Sequence, residues 1–269
     1  MSVIATVQRL RRYPVKSLLG EDLREAEVDR GGLERDRARA LLDLDTGKVA
    51  SAKNPRLWAG LLDCAATATA DGGVAVTGPD GRCIDEAGLS ELLGRKVSLI
   101  AERPPGASID RSVPEQVLAH GIEAEVEGTV VELGRGTPGG SFVDFAPLHL
   151  LTTSSLAAAG AESEVEAERY RPNLVLRTEG EGFVENDWVG RELTIGATLR
   201  LNVLVPTPRC AVPTLRHGPL PRRADALRIP AERNRVVPMA GLPALPCVGV
   251  YAQVLVPGRI RVGDEVRLD

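Results

Sequence analysis

The sequence is poor in the residues that build metal clusters and aromatic cores. Its 269 residues include four cysteines, three histidines, two tryptophans, three tyrosines and three phenylalanines. Cys64, Cys83, Cys210 and Cys247 are far apart, without a C-x-x-C pair, and His120, His149 and His217 are equally scattered. That spacing argues against a structural zinc site and against an iron–sulfur cluster. No run reaches the roughly 18 apolar residues of a membrane helix. The opening MSVIATVQRLRRYPVKS returns to charge too early for a secretory signal. The expectation is a cytoplasmic protein with free thiols and no membrane association. Lysine appears only at positions 16, 48, 53 and 96, so arginine supplies nearly all of the 33 basic residues. A net charge of −4 argues against a nucleic-acid binder, yet clustered arginines can still form a local anion site in an acidic protein.

What is present is β-forming. Short apolar or alternating runs (VIATVQRL, LREAEVD, ARALLDLD, CAATATA, GVAVTG, KVSLIAE) are separated by Gly, Asp and Pro turns over the first hundred residues. They predict a small antiparallel barrel or sandwich, with SELLGRK as its one short helix. RPPGASIDRSVPEQ (103–116) has linker composition, and GRGTPGGS (134–141) reads as a mobile loop. TTSSLAAAGAE predicts a capped helix, after which NLVLRT, ELTIG, TLRLNVLV, GVYAQVLV and RIRVGDEVRL predict strands. PRRADALRIPAERNR (221–235) reads as a basic loop with a helical turn. The expected fold is mainly β with some α: an N-terminal β-barrel domain over residues 1–104, then a β-rich domain with a few helices over 105–269.

Four stretches carry donors or a nucleophile. YPVKSLLG places Lys16 and Ser17 where a chain leaves a strand, a plausible phosphate cradle beside the plainer reading of a solvated lysine. GGLERDRA sets Arg37 at a strand entrance with Glu34 and Asp36 to orient it; the plainer reading is a surface ion-pair network. In ERYRPNLVL, Arg169 and Arg171 precede Pro172 and Asn173 leads a strand, so fixed donors could grip an anion. VPTPRCAVPT presents Cys210 on a proline-stiffened segment that should be neither helix nor central strand. Arg209 beside it favours thiolate, which suits nucleophilic attack or a soft, redox-active metal, although a lone cysteine is often a small core hydrophobe. His217, seven positions on, is either a proton relay or a solvated loop histidine.

YPVKSLLG, GLERDRA, PLHLLTTSSL, RYRPNLVL, ENDWVG followed by IG, PRC and GRIRVGDEVRL resemble, in order and spacing, MOSC proteins with an N-terminal β-barrel domain. That family includes the mitochondrial amidoxime-reducing components and bacterial YcbX-like enzymes. The resemblance implies a molybdenum–pterin cofactor held between barrel and core domain, with Cys210 as the protein ligand of molybdenum. It implies that Lys16, Ser17, Arg37, Arg171, Asn173 and Arg209 hold the pterin and its terminal phosphate, with Thr153 and Ser154 as further donors. One departure is AVPTLRHGPL after PRC, where many relatives carry a Thr-x-Val-Asp-Pro pattern. No acid stands in the equivalent place.

The reading that follows is a molybdenum oxidoreductase removing oxygen from N-hydroxylated substrates. Without cluster-forming cysteines or a Gly-rich dinucleotide fingerprint, it needs a separate electron donor of flavin or ferredoxin type. The alternatives are a carrier or storage protein for the same cofactor and a persulfide-type sulfur-transfer protein using Cys210.

Overall fold

A computed structural model describes residues 2–133 and 140–269. Seven strands close into a barrel: β1 Ser2–Arg12, β2 Leu148–Thr152, β3 Leu174–Arg177, β4 Glu192–Ile195, β5 Leu199–Pro208, β6 Leu245–Val256 and β7 Glu265–Leu268. The ring runs β2-β3-β1-β7-β4-β5-β6 and returns to β2. Every pair in it is antiparallel except β2 with β3. The expected fold class, mainly β with some helix, is the one observed.

Strand alternation explains the closure. Inward positions of the barrel strands, among them Val7, Leu10, Leu150, Leu174, Leu193, Leu201, Val203, Val250 and Val266, form one buried apolar cluster. Each such side chain contributes roughly 1.5–3 kcal/mol on leaving water. β1 is the first segment of the chain, yet it lies between β3 and β7, pairing Leu10 with Leu174 and Ser2 with Leu268. The far end of the chain makes the reverse exchange: Gly258–Arg261 pairs with Glu25–Asp29.

A second core gathers Val15, Leu18, Leu41, Trp58, Leu61, Cys64 and Leu89 under short antiparallel ladders, Ala40–Asp43 with Val97–Ile100 and Ala65–Ala68 with Val74–Thr77. The helix Glu86–Leu93 covers it, started by the Asp85 side chain accepting from the Gly88 N–H at 2.8 Å and stopped at Gly94, φ 63°. The 153–158 helix is capped by Thr152, whose side chain accepts from the Ser155 N–H.

Three local expectations need correction. The 103–116 stretch is no linker: Ser108–Ser112 pairs with Gly128–Glu132 as a two-stranded ribbon, and Pro114–His120 is a helix. The basic 221–235 stretch holds a nine-residue helix, Asp225–Arg233, with Pro230 inside it and Ala226 and Leu227 buried. Pro206 and Pro208 lie within β5, paired with Val250 and Cys247, and register shifts interrupt the ladder beside them, where the lack of a proline N–H is tolerated. Cys210 therefore follows a barrel strand directly and precedes a short 3₁₀ turn, Val212–Thr214. The loop expected over 134–141 falls for residues 134–139 outside the described residues.

Candidate functional site

A cavity of about 250 Å³ opens where the N-terminal ladders meet the barrel. It is lined by Lys16, Ser17, Arg37, Arg171, Asn173, Arg209 and Cys210, which come from the four stretches that the sequence singled out. Thr153 and Ser154 do not line it. The Thr153 hydroxyl accepts from the Thr178 N–H, and the Ser154 hydroxyl is bonded to those of Thr152 and Thr178. Residues that the sequence did not single out also face the cavity: Lys53, Arg111, Asp144, His149, Tyr170 and Tyr251.

The backbone is bent to deliver these groups. Among the described residues, four other than glycine have φ in the left-handed region, and three of them line the cavity: Ser17 (66°), Arg37 (48°) and Arg171 (57°). That conformation costs on the order of 1–2 kcal/mol per residue and persists where neighbours over-determine it. Here the Arg37 N–H donates to the Tyr13 carbonyl at 2.7 Å, and the Arg37 carbonyl accepts from Phe142 N–H at 2.8 Å. The Arg171 N–H donates to Glu168, while its carbonyl accepts from Arg37 Nη2 at 3.2 Å. The Tyr13 ring is the common platform, with the Arg171 guanidinium 4.3 Å and that of Arg37 4.8 Å from its centroid. Gly249, in β6 with φ 77°, admits no larger residue: an added Cβ would stand 2.5 Å from both His149 Nε2 and the Leu150 carbonyl oxygen.

The charges divide into paired and unpaired. Lys16 Nζ donates to the Phe142 carbonyl at 2.8 Å and to Asp144 Oδ1 at 2.6 Å, while Lys53 Nζ lies 2.9 Å from Asp144 Oδ2. Burial pushes the Lys16 ammonium down to about 8 against the pull of Asp144. Asp144 is held well below the usual carboxylate range by its two lysines, which outweigh its burial. Arg37 pairs with Asp36, as the sequence suggested, but Glu34 turns instead to Arg35. Asn173 is engaged at both ends of its amide: the oxygen accepts from the His149 N–H and from Arg37, and the nitrogen donates to the Arg11 carbonyl. It stitches three barrel strands and orients Arg37. Arg209 Nη2 donates to the Tyr170 carbonyl at 2.9 Å, leaving its Nε unpartnered.

Arg171 is the buried exception that defines the site. Both Nη atoms have essentially no accessible surface and no hydrogen-bond partner among the described residues, although the residue as a whole is partly exposed. A buried cationic donor without a partner is costly, and burial pushes this guanidinium down to about 10. His149 adds no charge, because burial and then Arg209 lower it to about 3. Six cationic residues thus face a cavity with Asp144 as the acid in its lining, inside a chain of net charge −4.

Cys210 is 8% exposed and packs with Ala52 and Leu62 from the N-terminal part and Val212 and Leu215 from its own loop. Arg169, 1% exposed, clamps that loop by donating to the Leu215 and Pro221 carbonyls at 3.1 and 2.8 Å, and it is paired with Glu166. His217 departs from the solvated-loop expectation. It is fully buried, bonded through Nδ1 to the Leu215 carbonyl, pushed down to about 3 by burial, and absent from the cavity lining.

A closed barrel joined to a smaller β lobe, with a cavity lined mostly by cations at the seam, is the class that fold and site define. Family models place the chain within it. Residues 139–267 match the MOSC domain and residues 4–87 the MOSC N-terminal beta barrel domain, so the chain belongs to the MOSC family with that N-terminal domain. The human mitochondrial amidoxime-reducing component 1 is 27% identical over 98% of this chain and 83% of its own length. The human mitochondrial amidoxime reducing component 2 is 30% identical over 47% of this chain, a match spanning 38% of that relative. Among solved structures, the YUAD protein from Bacillus subtilis aligns over 98% of this chain and 94% of its own, at 10% identity and a TM-score of 0.45. Among the described residues no helix is long and apolar enough to cross a membrane.

Proposed function

We propose that the cavity holds a molybdenum–pterin cofactor and that the protein is an oxidoreductase reducing N-hydroxylated substrates with electrons from a separate donor protein. The observation that carries this reading is the unpartnered, buried guanidinium of Arg171 in the same cavity as Cys210. The donor set fits the group. Arg171 Nη1 and Nη2 and Arg209 Nε have capacity to spare for a phosphate and pterin heteroatoms, and planar guanidinium forks match phosphate oxygens. Cys210 supplies the soft sulfur donor that molybdenum favours. The names of the amidoxime-reducing relatives support the reaction class.

In this proposal Arg171 and Arg209 bind the cofactor's anionic end, and Arg37, set by Asp36 and Asn173, closes that end from the N-terminal side. Tyr13 holds the arginines in place beneath. When bound, the cofactor supplies two-electron removal of oxygen: an N-hydroxy compound, two electrons and two protons give the reduced nitrogen compound and water. Lys16 Nζ, lowered to about 8, holds a proton that it can exchange near neutral pH. The cytoplasm is the proposed compartment, and a flavoprotein or ferredoxin the proposed donor class.

The test is anaerobic reduction of the loaded protein by dithionite, then addition of an amidoxime. Substrate-driven reoxidation with release of the amidine is expected. A protein that binds the cofactor but stays reduced would be a carrier, and the oxidoreductase reading would fall.

A further inference from the structure

One arginine of the cavity is not used by this reading. Arg111 lies on Ser108–Ser112, opposite Thr129 in the two-stranded ribbon. The ribbon borders two cavities. Arg111 and Val131 line the main cavity, while Asp110, Arg111 and Thr129 line a second cavity of about 250 Å³. Arg111 borders both.

The neighbouring charges are already paired. In the second cavity, Asp110 is bonded to Lys48 at 2.7 Å and Glu125 lies 3.5 Å from Arg56. In the main cavity, Asp144 is shared by Lys16 and Lys53 and Arg37 is paired with Asp36. The Arg111 side chain makes no hydrogen bond or ion pair with any described residue. Its charge is nonetheless felt at Lys53, where it opposes a second cation. Among the described residues, two lysines on one carboxylate and an unpaired guanidinium beside them leave this wall with net positive charge. A guanidinium does not shed its charge to relieve that, so the wall favours an anion from outside.

We propose that Arg111 is a specificity-determining residue which receives a carboxylate carried by the substrate, so that the preferred substrates are N-hydroxylated compounds bearing an anionic group away from the reacting nitrogen. This rests on the oxidoreductase reading for its chemistry. The placement supports it: Arg111 lies on a different segment from the residues assigned to the cofactor, and the second cavity gives room for the far end of a ligand. Partly buried arginine and carboxylate can form a bidentate pair, stronger than a hydrogen bond between neutral groups.

The experiment compares benzamidoxime with 4-carboxybenzamidoxime on the loaded wild-type, Arg111→Met and Arg111→Lys proteins, measuring kcat/KM and cofactor content. The wild type should prefer the carboxylate. Arg111→Met should lower the carboxylate-to-neutral ratio of kcat/KM by roughly 10- to 100-fold, the loss expected for a charged hydrogen-bond pair, and Arg111→Lys should restore part of it. Cofactor content should stay at the wild-type level. An unchanged ratio would overturn the proposal, and so would loss of cofactor in Arg111→Met, which would make Arg111 a cofactor-holding residue. Equilibrium dialysis of the two amidoximes provides a readout without turnover. If the wild type reduces neither compound, the oxidoreductase reading fails on its own. The carboxylate site then stands if Arg111→Met removes a binding preference for the carboxylate, and falls if the two compounds bind alike.

Discussion

Replacing Arg171 by methionine should make the cofactor-free protein more stable while abolishing cofactor retention. Burial pushes the guanidinium well below its ordinary value, down to about 10. At about 1.4 kcal/mol for each tenfold change in proton affinity, holding this charge costs on the order of 3 kcal/mol. The cost applies in full at neutral pH, because the group stays protonated until the pH nears 10. Against it stands the stacking of Arg171 on Tyr13 at 4.3 Å, about 1–2 kcal/mol for a largely desolvated pair. Methionine keeps most of the aliphatic packing and leaves the left-handed backbone strain as it was. The net gain is about 1–2 kcal/mol, and at roughly 2–4 °C per kcal/mol the midpoint of thermal unfolding should rise by a few degrees. The assay is thermal unfolding of wild type and Arg171→Met, both made in a host lacking the pterin pathway, beside pterin content of both made in a competent host. A variant that melts several degrees lower and still carries pterin would show that Arg171 is structural.

Further expectations address other residues. Cys210→Ser should retain pterin, since the arginines hold the anionic end, yet lose reductase activity and change the metal's absorption spectrum; wild-type turnover in that variant would remove Cys210 from the metal. Inorganic sulfate, whose charge is constant in this range, should bind the cofactor-free protein less tightly as pH rises through about 8, because Lys16 loses its cation there while Asp144 stays ionised and Lys53 and Arg37 stay charged. Lys16→Met should flatten that dependence, and a flat wild-type profile by isothermal titration would refute it. A fragment of residues 105–269 lacks β1, which pairs with both β3 and β7, so it should show no cooperative unfolding transition by circular dichroism; a sharp transition would contradict the pairing.

The sequence shows the site where a motif is contiguous and hides it where the fold assembles it. YPVKS, GLERDRA, RYRPN and PRC could be read because each packs a donor or thiol beside a proline or glycine that marks the end of a strand. Asp144 and Lys53 could not, because the pair exists only through contact between segments more than ninety positions apart. Arg111 is hidden in the sequence because Pro and Gly in 103–116 outweigh the alternation of SIDRS, which pairs as a strand only once TVVE lies beside it. The left-handed conformations of Ser17, Arg37 and Arg171 leave no mark, since glycine is the residue that normally signals them. His217 reads as solvated because it sits among Gly, Pro and Arg, yet the Gly218 N–H bonds to the Leu62 carbonyl and draws the loop under the N-terminal part. The exchange of β1 into the barrel is equally hidden, because alternation predicts a strand without naming its partner.

The measurement that bears most directly on the central claim is the molybdenum and pterin content of the wild-type protein purified from a cofactor-competent host. Metal analysis beside pterin fluorescence after oxidation should find both in equal amounts, stoichiometric with the chain, and both lost together in Arg171→Met. Protein that is fully folded but free of molybdenum and pterin would contradict the account.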